Sequence, residues 1–228
     1  MIVIKNAHLR KLIRIIVPFL LIPLTALIGA SAIAAEGYAA AILIVTLLSL
    51  LLFFSGFERK KTGTRRLILV AVMTALSVTG RFIPLFKPVT ALTILTAMYL
   101  GGEAGFLTGA LSAVISNFYF GQGPWTPFQM LAWGLIGLIA GVLSKRLQDH
   151  RWLLLLYGAI SGVAFSFIMD IWTVLWYNNG FNLQLYLAAL VTAAPYTILY
   201  AVSNMLFLYI FAKPFGSKLA RVKLKYGV

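Results

Sequence analysis

The sequence predicts an all-α integral membrane protein that crosses the bilayer several times. Of its 228 residues, 61% are hydrophobic and 11% are charged, and the mean hydropathy is +0.96. Soluble domains carry roughly a quarter charged residues, so this chain has too few polar side chains to cover a soluble globule. The apolar runs are continuous and do not alternate with period two, which favours membrane helices over a β-barrel.

Eight segments are long and apolar enough to be membrane-spanning helices, because a bilayer core of about 30 Å needs roughly 20 helical residues. They are residues 12–34, 39–57, 67–83, 88–101, 104–120, 127–144, 152–176 and 185–212. Between the short third and fourth segments, Pro84 and Pro88 predict a bent connection at the membrane surface. The first segment ends like a signal-peptide cleavage site, but its apolar run is longer than usual, which favours a retained helix.

A basic stretch from Glu58 to Arg66 divides the chain into two parts. Residues 1–66 are predicted to form an N-terminal pair of hydrophobic helices followed by a basic cytoplasmic linker. Residues 67–228 are predicted to form a six-helix substrate-binding core with a basic C-terminal tail.

The cations are distributed asymmetrically along the chain. There are 19 Lys and Arg against 5 Asp and Glu, which gives a net charge of +14. With the N-terminus inside, all of these cations except Arg81 and Lys87 fall in segments predicted to be cytoplasmic. The positive-inside rule therefore predicts a multi-pass protein of the cell membrane with both termini in the cytoplasm. The charge reflects topology and attraction to membrane lipid, and nucleic acid is not an expected partner.

Composition and motifs argue against an enzyme. The chain has no cysteine, and His8 and His150 are its two histidines, so disulfides and Cys/His metal centres are not expected. The sequence lacks a phosphate-binding P-loop and the common hydrolase motifs, and we expect neither a cofactor nor catalytic residues. Asp170 is the one acidic residue inside a predicted span. It is either a functional group or a structural hydrogen-bond partner between helices.

Aromatic and amide side chains are concentrated in the predicted outer loops. Such residues can form an interfacial belt, but their amides, turn glycines and two neighbouring cations favour a pocket for a polar, partly aromatic small molecule. The candidate substrate-binding residues are Arg81, Lys87, Asn117, Gln122, Trp125, Phe128, Gln129, Asp170, Trp176 and Tyr177.

Several helices carry pairs of small residues four positions apart, which allow close helix contact in membranes. The pairs are Gly105/Gly109, Gly137/Gly141, Gly158/Gly162 and Ala71/Ala75. Internal packing explains most such pairs. A pair that faced outward would instead offer a docking groove for another membrane protein.

Taken together, several segments resemble the substrate-binding S components of energy-coupling factor (ECF) vitamin transporters. They are Leu69–Leu76, Arg81–Pro84, Leu100–Ala110, Gly123–Met130 and Gly137–Gly141, and the resemblance covers about residues 67–212. It implies a six-helix binding subunit that docks onto a membrane coupling subunit carried by two cytoplasmic ATPases. The family's Ala-x-x-x-Ala docking pattern maps to Ala71 and Ala75. The N-terminal pair departs from the six-helix pattern.

The resemblance implies import driven by ATP that the partner subunits hydrolyse. The amide-rich mouth and its two cations favour cobalamin as the vitamin, whereas pantothenate, riboflavin and a nucleobase-like metabolite remain open. A stand-alone secondary transporter is a second hypothesis, and it would need Asp170 in a coupling-ion site. A membrane enzyme acting on lipids is a third, which the scarcity of titratable groups disfavours.

Overall fold

The computed structural model describes residue 4 and residues 6–31, 37–56, 60–178 and 180–226. All regular elements in these ranges are helical, and the all-α prediction is confirmed. The helices are α1 (Ala7–Ile16), a π-helical turn (Val17–Leu21), α2 (Ile22–Ser31), α3 (Gly37–Ser55), α4 (Lys60–Gly80), α5 (Val89–Leu100), α6 (Gly102–Phe120), α7 (Thr126–Val142), α8 (Ser144–Asp149), α9 (Arg151–Asn178) and α10 (Leu183–Tyr226).

Each predicted span corresponds to a helix. By length and composition four are long enough to cross a membrane, namely Ala7–Gly29, Tyr38–Ser55, Arg151–Asn178 and Leu183–Lys225. Two others, Val89–Leu100 and Thr126–Val142, are shorter apolar helices. The first span is continuous through Pro18 because a π-helical turn accommodates the missing proline N–H.

The last helix is much longer than the sequence predicts. With 44 residues, α10 continues past residue 212 and through Pro214 to Tyr226. At 1.5 Å per residue it is about 66 Å long, roughly twice the thickness of a bilayer core. Helix α8, a short helix of six residues between α7 and α9, is a second element that hydropathy does not predict.

Helix α5 is the centre of the core. All its residues except Tyr99 are buried, and it packs against α6, α7 and α10. Helices α6 and α7 approach so closely that a Cβ atom on Gly105 would lie 3.1 Å from the Gly137 carbonyl oxygen. Gly162 of α9 contacts Ala201 of α10 in the same way. The glycine pairs are therefore internal packing sites.

Ala71 and Ala75, unlike the glycine pairs, are not packed inside the bundle. Both are exposed on α4, together with Ile68, Val72 and Leu76. This face of α4 is apolar and points away from the described bundle.

An ion-pair cluster attaches the N-terminal helices to the core. Glu103, in the first turn of α6, pairs with Arg14 of α1 at 2.7 Å and with Arg66 of α4 at 3.7 Å. The Arg66 guanidinium also donates to the carbonyl of Gly56, just beyond α3. Four helices thus meet at one end of the bundle, which also carries Arg151 and is called the basic end below.

Replacing Glu103 with glutamine is expected to destabilise the protein, because two guanidinium groups lose their shared counter-charge. Fully buried pairs cost about 3–5 kcal/mol when broken. The Arg14 side chain is 43% exposed, so we expect about 1–3 kcal/mol here. Thermal unfolding in detergent measures this, with a fall of roughly 2–4 °C per kcal/mol. Asp149→Asn, an exposed change of equal charge, is the control. Equal melting temperatures for the two variants would contradict the prediction.

Candidate functional site

A cavity of about 270 Å³ lies towards the end of the bundle opposite the basic end. It is called the interhelical cavity here. It is bounded by the α4–α5 connection, the start of α5, and helices α7, α9 and α10. Its lining consists of Arg81, Lys87, Val89, Thr90, Gln129, Trp133, Gly162, Phe165, Ser166, Met169, Asp170, Ala193, Tyr196, Tyr200 and Asn204.

Helical periodicity explains why α9 and α10 contribute so many of these side chains. On α10, Tyr196, Tyr200 and Asn204 are spaced by four residues and therefore share one face. On α9, Ser166 and Asp170 have the same spacing. The two faces are joined by a 2.6 Å hydrogen bond between the hydroxyls of Ser166 and Thr197.

Arg81 is held by two neighbours on α6. It follows the last residue of α4, and its Nη1 donates to the Ser116 hydroxyl and, at 2.6 Å, to Asn117 Oδ1. Its guanidinium carbon lies 4.9 Å from the Phe120 ring centroid and 5.5 Å from that of Trp133. These contacts fix the guanidinium at the cavity wall without a carboxylate partner among the described residues.

Of the three amide side chains predicted to bind substrate, one lines the cavity and two lie behind its wall. Asn117 is 1% exposed, and its Nδ2 donates to Thr126 Oγ1 and to Gln129 Oε1, both at 2.8 Å. Gln122 accepts from the Thr126 hydroxyl and donates to the Val114 carbonyl. Gln129 lines the cavity. Asn117 and Gln122 lie behind the cavity wall, where Asn117 contacts Gln129 and Arg81 directly and Gln122 contacts Thr126.

Lys87 is the second cation of the cavity. Its Nζ lies 5.7 Å from the Phe120 ring centroid. Burial lowers the pKa of the Lys87 ammonium, and the nearby positive charge of Arg81 lowers this pKa further. An anionic or electron-rich ligand would be stabilised by both groups.

Asp170 faces the same cavity and is 8% exposed. Its buried Oδ2 has no hydrogen-bond partner among the described residues. A buried carboxylate oxygen without a partner is costly, and Asp170 is the acidic side chain among the residues that line the cavity.

Besides Asn117 and Gln122, four more predicted site residues do not line the interhelical cavity. Phe128 is buried in the core at 3% exposure, and Trp125 packs against Trp172 with ring centroids 5.7 Å apart. Trp176 and Tyr177 are exposed at 41% and 77%. The assignment of all ten predicted residues to substrate binding stays a prediction.

The aromatic walls of the cavity, chiefly Trp133, Tyr196 and Tyr200, and the amide of Asn204 are not among the residues predicted from the sequence. These residues were hidden within apolar spans. The spacing of Tyr196, Tyr200 and Asn204 by four was the available signal, because three polar groups on one face of a membrane helix indicate a site or a polar interface.

A comparison with protein families identifies the chain. Residues 61–221 match the family described as ECF-type riboflavin transporter, S component. The chain belongs to this family. The match spans more than two thirds of the S component, from α4 to most of α10, and begins after α3. No curated protein and no solved structure gives a significant match.

Family membership confirms the resemblance to ECF S components and the prediction of a multi-pass helical membrane protein. An ECF S component is a transporter subunit and not an enzyme. The division of the chain at residue 66 stays a prediction.

Proposed function

We propose that this S component binds a flavin, with riboflavin as the first candidate, in the interhelical cavity and delivers it to the cytoplasm. The proposal rests on one observation: the residues that match the riboflavin transporter family enclose a cavity with aromatic and polar walls. The predicted topology places this cavity towards the outer face of the membrane.

The cavity has groups suited to each part of a flavin. The planar ring system can pack against Trp133, Tyr196 and Tyr200, since aromatic faces favour stacked or edge contacts. The carbonyls of the ring can accept hydrogen bonds from Arg81. The hydroxyls of the ribityl chain can donate to the carboxylate of Asp170, which lines the cavity.

Size favours a flavin over the cobalamin that the sequence analysis preferred. Binding sites for small ligands have volumes of about 300–1000 Å³, and this cavity, at about 270 Å³, lies near the lower bound. A corrinoid is several times larger than a flavin and would require the helices to separate. Cobalamin remains unconfirmed, and pantothenate remains an alternative vitamin.

The proposal includes the partners implied by the family, a membrane coupling subunit and two ATPases. The exposed apolar face of α4 around Ala71 and Ala75 supports a docking role. Small residues allow another helix to approach closely in lipid. The chain itself would supply binding, and the partners would supply ATP hydrolysis.

Binding of vitamins to the purified full chain tests the proposal. Titration of riboflavin is expected to quench flavin fluorescence saturably, because the ring would stack on aromatic side chains. Cobalamin and pantothenate at equal concentration are expected not to displace it. Saturable binding of cobalamin with no binding of riboflavin would overturn the flavin assignment.

A further inference from the structure

A second cavity, of about 380 Å³, lies at the basic end of the bundle. It is called the basic-end cavity, and it is formed by the end of α5, by α8, by the start of α9 and by α10. Its polar wall includes Arg151 of α9 and Lys213 of α10. Its apolar wall includes Leu147, Leu154 and Ala212.

The cations of this cavity are available to a ligand. Arg151 donates from Nη2 to the Tyr209 carbonyl at 3.0 Å and lies 4.1 Å above the Tyr209 ring. These contacts orient the guanidinium while leaving other N–H donors free. Lys213 is exposed, and the ion pairs among the described residues do not include it. No carboxylate is among the residues that line the cavity, and Asp149 lies outside it.

The start of α9 adds further positive potential. Its first intrahelical backbone hydrogen bond at this end runs from Leu154 N–H to the His150 carbonyl. The amides of residues 151–153 therefore have no partner within the helix. Such an N-terminus attracts anions, and its first residue, Arg151, lines the same cavity as Lys213.

The position of the two cations indicates the source of the anion. Arg151 and Lys213 each lie one residue outside a predicted membrane span, 152–176 and 185–212 respectively. This is the depth of lipid headgroups. Below Lys213, the α10 side chains of Leu206 and Ile210 are exposed at 43% and 50% and can contact an acyl chain. Basic pockets between membrane helices on the cytoplasmic side are suited to anionic lipid headgroups.

We propose that the basic-end cavity binds the phosphate of an anionic phospholipid, with its acyl chains along α10. This site is separate from the interhelical cavity, and its test does not involve a vitamin. The shared chemistry is a phosphate group, which a soluble phosphate could also supply.

The test is thermal unfolding of the purified full chain in detergent with added lipid. Phosphatidylglycerol is expected to raise the melting temperature by several degrees, because a ligand that binds the folded state stabilises it, whereas phosphatidylcholine is expected to have little effect. The Arg151→Gln/Lys213→Gln variant is expected to lose this shift. The Lys218→Gln/Arg221→Gln variant, with equal charge loss on α10 outside the cavity, is expected to keep it.

Single variants keep the test informative if the double variant does not fold. Lys213 is exposed, so Lys213→Gln is expected to fold and to show a reduced shift with phosphatidylglycerol. Equal shifts with the two lipids, or a full shift in the Lys213 variant, would overturn the proposal. A comparable shift with inorganic phosphate that is lost in the same variant would overturn the assignment to lipid.

Discussion

Replacing Ala75 with tryptophan is expected to reduce vitamin uptake strongly while leaving binding to the isolated subunit unchanged. Ala75 is exposed on α4, so the larger side chain meets no described core residue, but it would separate a docked helix from this face. Overpacking costs about 1–3 kcal/mol, which weakens docking by about 5- to 150-fold. Ala71→Trp is expected to act in the same way, because Ala71 lies one turn away.

Uptake by cells that contain the complete transporter, together with flavin titration of the purified variant, measures the two effects separately. The control is Ile160→Trp, which places the same side chain on a 55% exposed position of α9. Equal uptake in the Ala75 and Ile160 variants would contradict docking at this face. Loss of flavin binding in the Ala75 variant would indicate a role in packing.

Replacing Asp170 with alanine is expected to weaken flavin binding by about 10- to 150-fold. The ligand would lose a hydrogen bond to the Asp170 carboxylate at the cavity wall, and hydrogen bonds to charged groups contribute about 1.5–3 kcal/mol. Asp170→Asn keeps one acceptor oxygen and is expected to have a smaller effect. Fluorescence titration of each purified variant measures the dissociation constant.

Thr173→Val is the matched control for Asp170, because the Thr173 hydroxyl donates to the Met169 carbonyl within α9 and does not line the cavity. Unchanged affinity in Asp170→Ala would contradict a ligand contact. The secondary-transporter hypothesis predicts a different result: Asp170→Asn would abolish uptake driven by an ion gradient, and depletion of ATP would not.

Hydropathy and charge could predict the helices and the two isolated cations. Apolar runs specify membrane helices directly, since backbone groups in lipid must be satisfied within the segment. Arg81 and Lys87 stood apart because the other cations cluster elsewhere, and both line the interhelical cavity. Asp170 was identifiable for a similar reason, as an ionisable group within an apolar span.

The aromatic wall of the cavity could not be predicted in this way, because it depends on how α9 and α10 face each other. Trp176 and Tyr177 suggested a site since they are aromatic and near a loop, yet the structure exposes them. Tyr200 and Asn204 are placed at the cavity by contacts such as that of Gly162 with Ala201, which no local pattern reveals. Similarly, hydropathy does not predict the length of α10, because its last residues are basic and continue the helix beyond the predicted membrane span.

The length of α10 has a consequence for the relation between the two cavities. Asn204 lines one and Tyr209 lines the other, only about 7.5 Å apart along the helix axis. A tilt or rotation of α10 against α9 therefore changes the shape of both cavities at once. If a ligand in either cavity favours one position of this helix, linkage requires that it alter the affinity of the other cavity by the same factor. The lipid composition of the membrane would then set how tightly the vitamin is held.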